Sequence, residues 1–134
     1  MPHPSIIVVE DDANTLSGYM EFLQAAGFYP TGVSDGTEAL EMVLQNPPAA
    51  VITDITLPGM NGFALAEALR RDPRTRGVPV IGMTAYWNVD VHARAADVCM
   101  RAVLLKPCVP AHLVAELCRV LGGAPPRARI EPGT

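Results

Sequence analysis

Aromatic side chains are scarce, at 5% of 134 residues. A ring-rich core is therefore excluded, and burial has to come from aliphatic residues. The 49% hydrophobic content supplies them and rules out disorder throughout. The cysteines, Cys99, Cys108 and Cys118, are three, too few and too odd for a disulfide framework. A basic surplus is also missing. The net charge is −4, whereas a duplex nucleic-acid binder needs a basic face to release counterions, so direct nucleic-acid binding is not expected. No apolar stretch approaches the roughly 18 residues that span a bilayer. Glu10, Asp11 and Asp12 arrive too early for a secretion signal. The expectation is a soluble protein of a reducing compartment, of a length that fits one domain.

What is present is an alternation of short β-rich runs and longer segments of helical period. Ser5–Val9 is a continuous apolar run, as in a strand covered on both faces. Leu16, Tyr19, Met20 and Leu23 repeat at helical spacing until Gly27. Tyr29–Val33, with Pro30 and Gly32, reads as an edge strand. Ala39, Leu40, Val43 and Leu44 mark a second helix, ended by Pro47 and Pro48. Ala50–Asp54 is the third strand, followed by the turn-rich stretch Leu57-Pro58-Gly59-Met60-Asn61-Gly62. Phe63, Ala66 and Leu69 give a third helix, and Val78–Met83 the fourth strand. Val91, Ala95 and Val98 mark a fourth helix with few large anchors, Val103–Lys106 a fifth strand, and Leu113, Leu117, Val120 and Leu121 a last helix closed by Gly122-Gly123. Five strands alternating with five helices predict a doubly wound parallel α/β domain over 1–123. Residues 124–134, rich in Pro and Arg and without periodicity, read as a flexible tail or linker stub.

In such sheets the ligand site lies outside the carboxyl ends of the strands. There the first strand runs into Glu10-Asp11-Asp12, the third ends at Asp54, the fourth in Thr84 and the fifth at Lys106 before Pro107. The acids repel one another unless a cation is present. Glu10, Asp11 and Asp54 offer only hard oxygen ligands, which suits Mg²⁺. An acid-lined first loop without glycines does not suit a flavin phosphate. Lys106 is the chain's single lysine beside nine arginines. With strands about 4.8 Å apart, its four-carbon stem can cross most of the gap of roughly 10 Å toward Asp54 or an anion attached to it. A lysine merely snorkelling at a strand end is the plainer alternative.

These residues resemble the receiver domain of two-component response regulators from about Ile6 to Leu121. The match rests on I-I-V-V-E-D-D, V-I-T-D-I-T-L-P-G-M-N-G, I-G-M-T-A and L-L-K-P, in that order at the strand ends. The resemblance implies a flavodoxin-like receiver fold with strand order 2-1-3-4-5. It implies that Asp54 accepts a phosphoryl group from a sensor histidine kinase or phosphotransfer protein, with Thr84 hydrogen-bonding that group and Lys106 pairing with it. It further implies Mg²⁺ held by Glu10, Asp11, Asp54 and the main-chain carbonyl of Thr56, and a cis Lys106–Pro107 bond. Attack by the Asp54 carboxylate on phosphorus, later reversed by water, would make the mark temporary, self-chemistry rather than enzymatic turnover. The surface of the fourth helix, fifth strand and fifth helix would switch, for a downstream effector or a C-terminal output domain, in the cytoplasm.

Three positions depart from the family pattern. Val103 stands where a large aromatic is usual, Cys99 where glycine is usual, and Cys108 where phenylalanine follows the Lys-Pro pair. Tyr86 is read as shielding or gating the site, Trp87 as half-buried, and Asp12 as a helix cap. The cysteines are expected as small core hydrophobes. His92 and His112 are expected at the surface, and Arg70, Arg71, Arg74 and Arg76 at a solvated helix end. Two other functions compete. One is a degenerate receiver acting as an unphosphorylated interaction module. The other is a phosphoaspartate phosphatase of the haloacid-dehalogenase type, for which Thr56 occupies the place of the needed second aspartate.

Overall fold

The computed structural model describes residues 3–123. Among them the elements run β1 (Ser5–Val9), α1 (Ala13–Ala25), β2 (Tyr29–Val33), α2 (Gly36–Gln45), β3 (Ala50–Asp54), α3 (Gly62–Arg71), β4 (Val80–Thr84), α4 (Val89–Asp97), β5 (Ala102–Leu105) and α5 (Pro110–Leu121). All strand pairings are parallel and the order is β2-β1-β3-β4-β5. The chain winds outward one way to β2 and the other way to β5. The switch point therefore falls between β1 and β3, where such sheets carry their ligands.

Side chains alternate across each strand, and both faces are covered. Ile6, Val8, Ile52, Ile81, Met83 and Leu104 meet Tyr19 and Leu23 of α1 and Leu113, Leu117 and Val120 of α5. Ile7, Val9, Val51, Val80 and Val103 meet Ala39 and Val43 of α2, Phe63, Leu65 and Leu69 of α3, and Ala95 of α4. Burial on both sides demands apolar residues at successive positions, which is why β1 reads as an unbroken run. Pro30 sits on the edge strand, where a missing donor costs least. Asp12, Asp35, Asn61 and Asn88 cap α1 to α4 with their side chains, whereas α5 opens on Pro110.

Several boundaries and placements differ from the sequence reading. Val78 is not in β4: its amide donates back to the Thr75 carbonyl at 2.9 Å, so it belongs to the preceding turn. The strand runs from Val80 to Thr84, which is its last rung, as expected of the residue that ends it. β5 begins at Ala102 and stops at Leu105, leaving Lys106 just beyond it. Leu121 lies at the exposed end of α5 rather than in the core. The core assignment of the cysteines holds for Cys108 alone; Cys99 and Cys118 are exposed. The tail assigned to residues 124–134 lies outside the described residues.

Candidate functional site

Strand register builds the site. Val9 pairs with Thr53, so Glu10 falls level with Asp54. Asp54 pairs with Met83 and Thr84 with Leu105, which steps Thr84 and then Lys106 along the same carboxyl edge. Main-chain bonds continue past the strand ends: Glu10 donates to Val33 (2.9 Å), Ile55 to Met83 (2.8 Å) and Lys106 to Thr84 (2.7 Å). The functional side chains are thus carried on ladder-fixed backbone, not on free loops.

The Lys106 ammonium donates to Glu10 Oε1 at 2.7 Å and to Asp54 Oδ2 at 2.9 Å. β4 and β3 lie between Lys106 and Glu10, so the ammonium and the two carboxylates meet partway, each side chain covering part of the gap. Glu10 is 1% exposed and Asp54 7%, so a half-buried ammonium joins two buried carboxylates. Burial pushes the pKa of the Lys106 ammonium down, but its hydrogen bonds to Glu10 and Asp54 outweigh that and raise it to about 12. The ammonium therefore stays charged at neutral pH. Asp11, exposed at the rim, completes an acid cluster in which one oxygen from each of Glu10, Asp11 and Asp54 lies within 4.8 Å of the others.

Three carboxylates against one ammonium leave an excess of negative charge in a small hollow. The donors are all carboxylate oxygens, so the hollow fits a small hard dication that keeps several waters. Thr56 follows Asp54 by two residues in an exposed bend. Thr84 is buried, and its Oγ1 accepts the Tyr86 amide at 3.1 Å. Tyr86 itself is 76% exposed and covers nothing closely. Asp12 points away from the cluster: its carboxylate accepts the Thr15 amide at 2.9 Å and the Thr15 hydroxyl, and these bonds hold it below the usual carboxylate range.

Two supports were not legible in the sequence. Tyr19 of α1 donates through its hydroxyl to the Cys108 carbonyl at 3.3 Å, tying the segment after Lys106 to α1 beside a groove of about 550 Å³. Gly62 packs under the Asp54 backbone, where an added Cβ would stand 2.6 Å from the Asp54 carbonyl oxygen. The turn-rich composition before α3 was the only signal for that approach. The Lys106–Pro107 bond is cis. Arg70 and Arg71 pair with Glu67, and Arg74 with Asp72, at the exposed end of α3.

Fold and site together define a doubly wound, flavodoxin-like α/β protein with an acidic, oxygen-only hollow at its topological switch point. The family model for the response regulator receiver domain matches residues 6–118. The chain belongs to that family. It is 33% identical to the transcriptional regulatory protein PrrA of Mycobacterium tuberculosis, over 88% of this chain and 50% of that protein. It is 35% identical to the transcriptional regulatory protein HprR of Escherichia coli, over 84% of this chain and 49% of that one. The chain thus spans about half the length of the curated relatives it matches. Among solved structures, the chemotaxis response regulator CheY4 of Vibrio cholerae superposes with a TM-score of 0.83 at 25% identity, covering 88% of this chain and 98% of that one. The receiver domain of the sensor histidine kinase PA1611 from Pseudomonas aeruginosa, whose active site cleft coordinates a magnesium ion, gives 0.82 at 27% identity, covering 90% and 98%.

Proposed function

We propose that Asp54 is the phosphoacceptor of a two-component phosphorelay. A carboxylate oxygen of Asp54 attacks the phosphorus of a phosphohistidine on a sensor histidine kinase or phosphotransfer protein. The new O–P bond forms as the N–P bond breaks, and the electron pair leaves on the imidazole nitrogen. Lys106 holds the carboxylate now and can follow a phosphoryl oxygen afterwards, because a compact ammonium pairs with either. Thr84, at the next strand end, offers its hydroxyl proton to the same group. Glu10, Asp11, Asp54 and the Thr56 carbonyl would hold Mg²⁺, which when bound offsets the charge of the transferring oxygens.

The observation that carries this reading is the pair of hydrogen bonds that Lys106 donates to Glu10 and Asp54. A lysine that only snorkels would extend to water; this one is fixed over the carboxylate it is to serve. A degenerate receiver has no need of the complete set of acids, hydroxyl and ammonium. The chemistry is self-phosphorylation and self-dephosphorylation, not turnover of other substrates. The switched surface is that of α4, β5 and α5, read by an effector protein or an output domain. The two transcriptional relatives at 33 and 35% identity make a DNA-directed output the natural class, with contact to DNA made by another domain, since this chain carries a net charge of −4. The work belongs in the cytoplasm; among the described residues no helix is long and apolar enough to cross a membrane.

The test is labelling by a small-molecule phosphodonor in Mg²⁺. The wild type gains one phosphoryl group, and Asp54→Asn gains none while remaining folded. Undiminished labelling of that variant would refute the assignment.

A further inference from the structure

The loop after β4 joins the site to α4 through a short series of contacts. Thr84 Oγ1 accepts the Tyr86 amide at 3.1 Å. Trp87 follows, half-buried against the α2–α3–α4 side of the core. Asn88 caps α4 by accepting the Val91 amide at 2.9 Å. With Asn88 at the cap, Trp87 is the residue before it and His92 the fourth of the helix. The two rings meet edge to face, centroids 5.5 Å apart at 82°. Contact between these two positions fixes the angle at which a chain enters a helix.

From this we infer that Trp87 is the residue through which the state of Thr84 sets the position of α4. The inference rests on Asp54 being the phosphoacceptor. When Thr84 turns to a phosphoryl oxygen, its Oγ1 either carries the Tyr86 amide with it or leaves that amide without its acceptor. Either way the backbone next to Trp87 moves, and the indole transmits the movement to His92 in the first turns of α4. The helix is free to respond because Ala95 is its single buried residue, with Val98 just beyond its end and Arg94 resting over the Phe63 ring at 4.9 Å. Val103 cannot take this part. It is 1% exposed, packed in the core on β5, and has no ring to carry the movement outward.

The experiment compares amide spectra of the full chain with and without beryllofluoride plus Mg²⁺, in the wild type, Trp87→Leu and His92→Ala. Phosphodonor labelling is measured on the same samples. In the wild type, amides at Thr84 and along Val89–Asp97 shift, and Trp87 emission changes. In both variants labelling and the Thr84 shift persist, while the α4 shifts fall by more than half. His92→Ala alters an exposed position and keeps the comparison open if Trp87→Leu fails to fold. Full α4 shifts in a variant that still takes up the mimic would overturn the relay, as would a wild type in which Thr84 responds and α4 does not. Loss of labelling in the wild type is the separate signature of a failed phosphoacceptor reading, and the relay falls with it.

Discussion

Replacing Lys106 by Met keeps most of the stem and removes the ammonium. Glu10 and Asp54, whose side chains are 1% and 10% exposed, then share a hollow with Asp11 and no cation. Removing one partner of a buried pair costs about 3–5 kcal/mol, because the remaining charge is left uncompensated. The Lys106 side chain is 24% exposed, so water already screens part of its field, and the lower end, about 3 kcal/mol, applies. With a urea dependence of about 2 kcal/mol/M, the unfolding midpoint of Lys106→Met falls by about 1.5 M. The assay is urea unfolding followed by circular dichroism in chelator-treated buffer. Repeating it at saturating Mg²⁺ gives a second reading. A cation that binds only the folded state adds about 2.7 kcal/mol at a hundredfold excess over its Kd. Magnesium is expected to help the variant more, since its acids lack any other counter-charge, so the gap to wild type narrows. An unchanged midpoint without magnesium, or a gap that Mg²⁺ leaves unaltered, would show that Lys106 does not balance these carboxylates.

Gly62→Ala sets a Cβ 2.6 Å from the Asp54 carbonyl oxygen and 2.9 Å from Ile55 Cα, both backbone atoms that must yield. A loss of about 1–3 kcal/mol is expected, with slower Asp54 labelling; a variant equal to wild type in both measurements would contradict the packing. Cys99 holds a φ of 61°, a left-handed conformation that costs an L-residue about 1–2 kcal/mol. Glycine there removes that strain and adds about 0.5–1 kcal/mol of chain entropy to lose. Cys99→Gly should therefore raise the urea midpoint slightly, and a lowered midpoint would mean the thiol makes a stabilising contact. Alkali should unfold the protein early. Lys106, despite the downward push of burial, is raised to about 12 by its carboxylate partners, and Tyr19 is raised to about 12 by burial. Between about pH 10 and 12 the folded state then holds protons the unfolded chain has released, so stability falls as pH rises through that window. Lys106→Met should flatten this decline in a pH series of urea melts, and an unchanged slope would contradict the Lys106 part.

Much of this architecture is legible because the strands are buried on both sides. A run such as Ile6-Ile7-Val8-Val9 leaves no amphipathic alternative, and each run stops where the chemistry begins. Asp54, Thr84 and Lys106 could be placed on one edge from strand ends and crossover handedness alone. The failures come where one local pattern serves two structures. Val78-Pro79-Val80 is apolar across a turn as well as a strand, and only the Thr75–Val78 hydrogen bond separates them. Cys118 was read by residue type, although Leu113, Leu117 and Val120 already define the buried stripe of α5 and leave position 118 off it. The pairing of Lys106 with Glu10 depends on which strands are neighbours, since β3 and β4 lie between the strands that carry them. Gly62 closes the motif V-I-T-D-I-T-L-P-G-M-N-G but shows no positive φ; its constraint comes from a backbone 2.6 Å away.

Magnitudes decide which part of the molecule can answer a charge placed at Asp54. A phosphoryl group adds 1–3 charge-assisted hydrogen bonds, each worth about 1.5–3 kcal/mol. Moving a two-state equilibrium from one side to the other takes about 5.5 kcal/mol, so that supply covers one modest rearrangement and no more. Shifting α3 would loosen Phe63, Leu65 and Leu69, all buried, and core side chains of that size cost about 2–5 kcal/mol each when they lose their packing. Such a move costs more than all but the strongest set of new bonds provides. α4 buries one alanine within its length, its outer surface is largely wet, and its entry carries the Asn88 cap and the Trp87–His92 ring contact. The light anchoring that made this helix the least distinct in the sequence is therefore the same property that would let it move under the proposed switch. If Asp54 is the phosphoacceptor proposed, large apolar anchors along α4 are expected to leave its labelling intact and to abolish the α4 response.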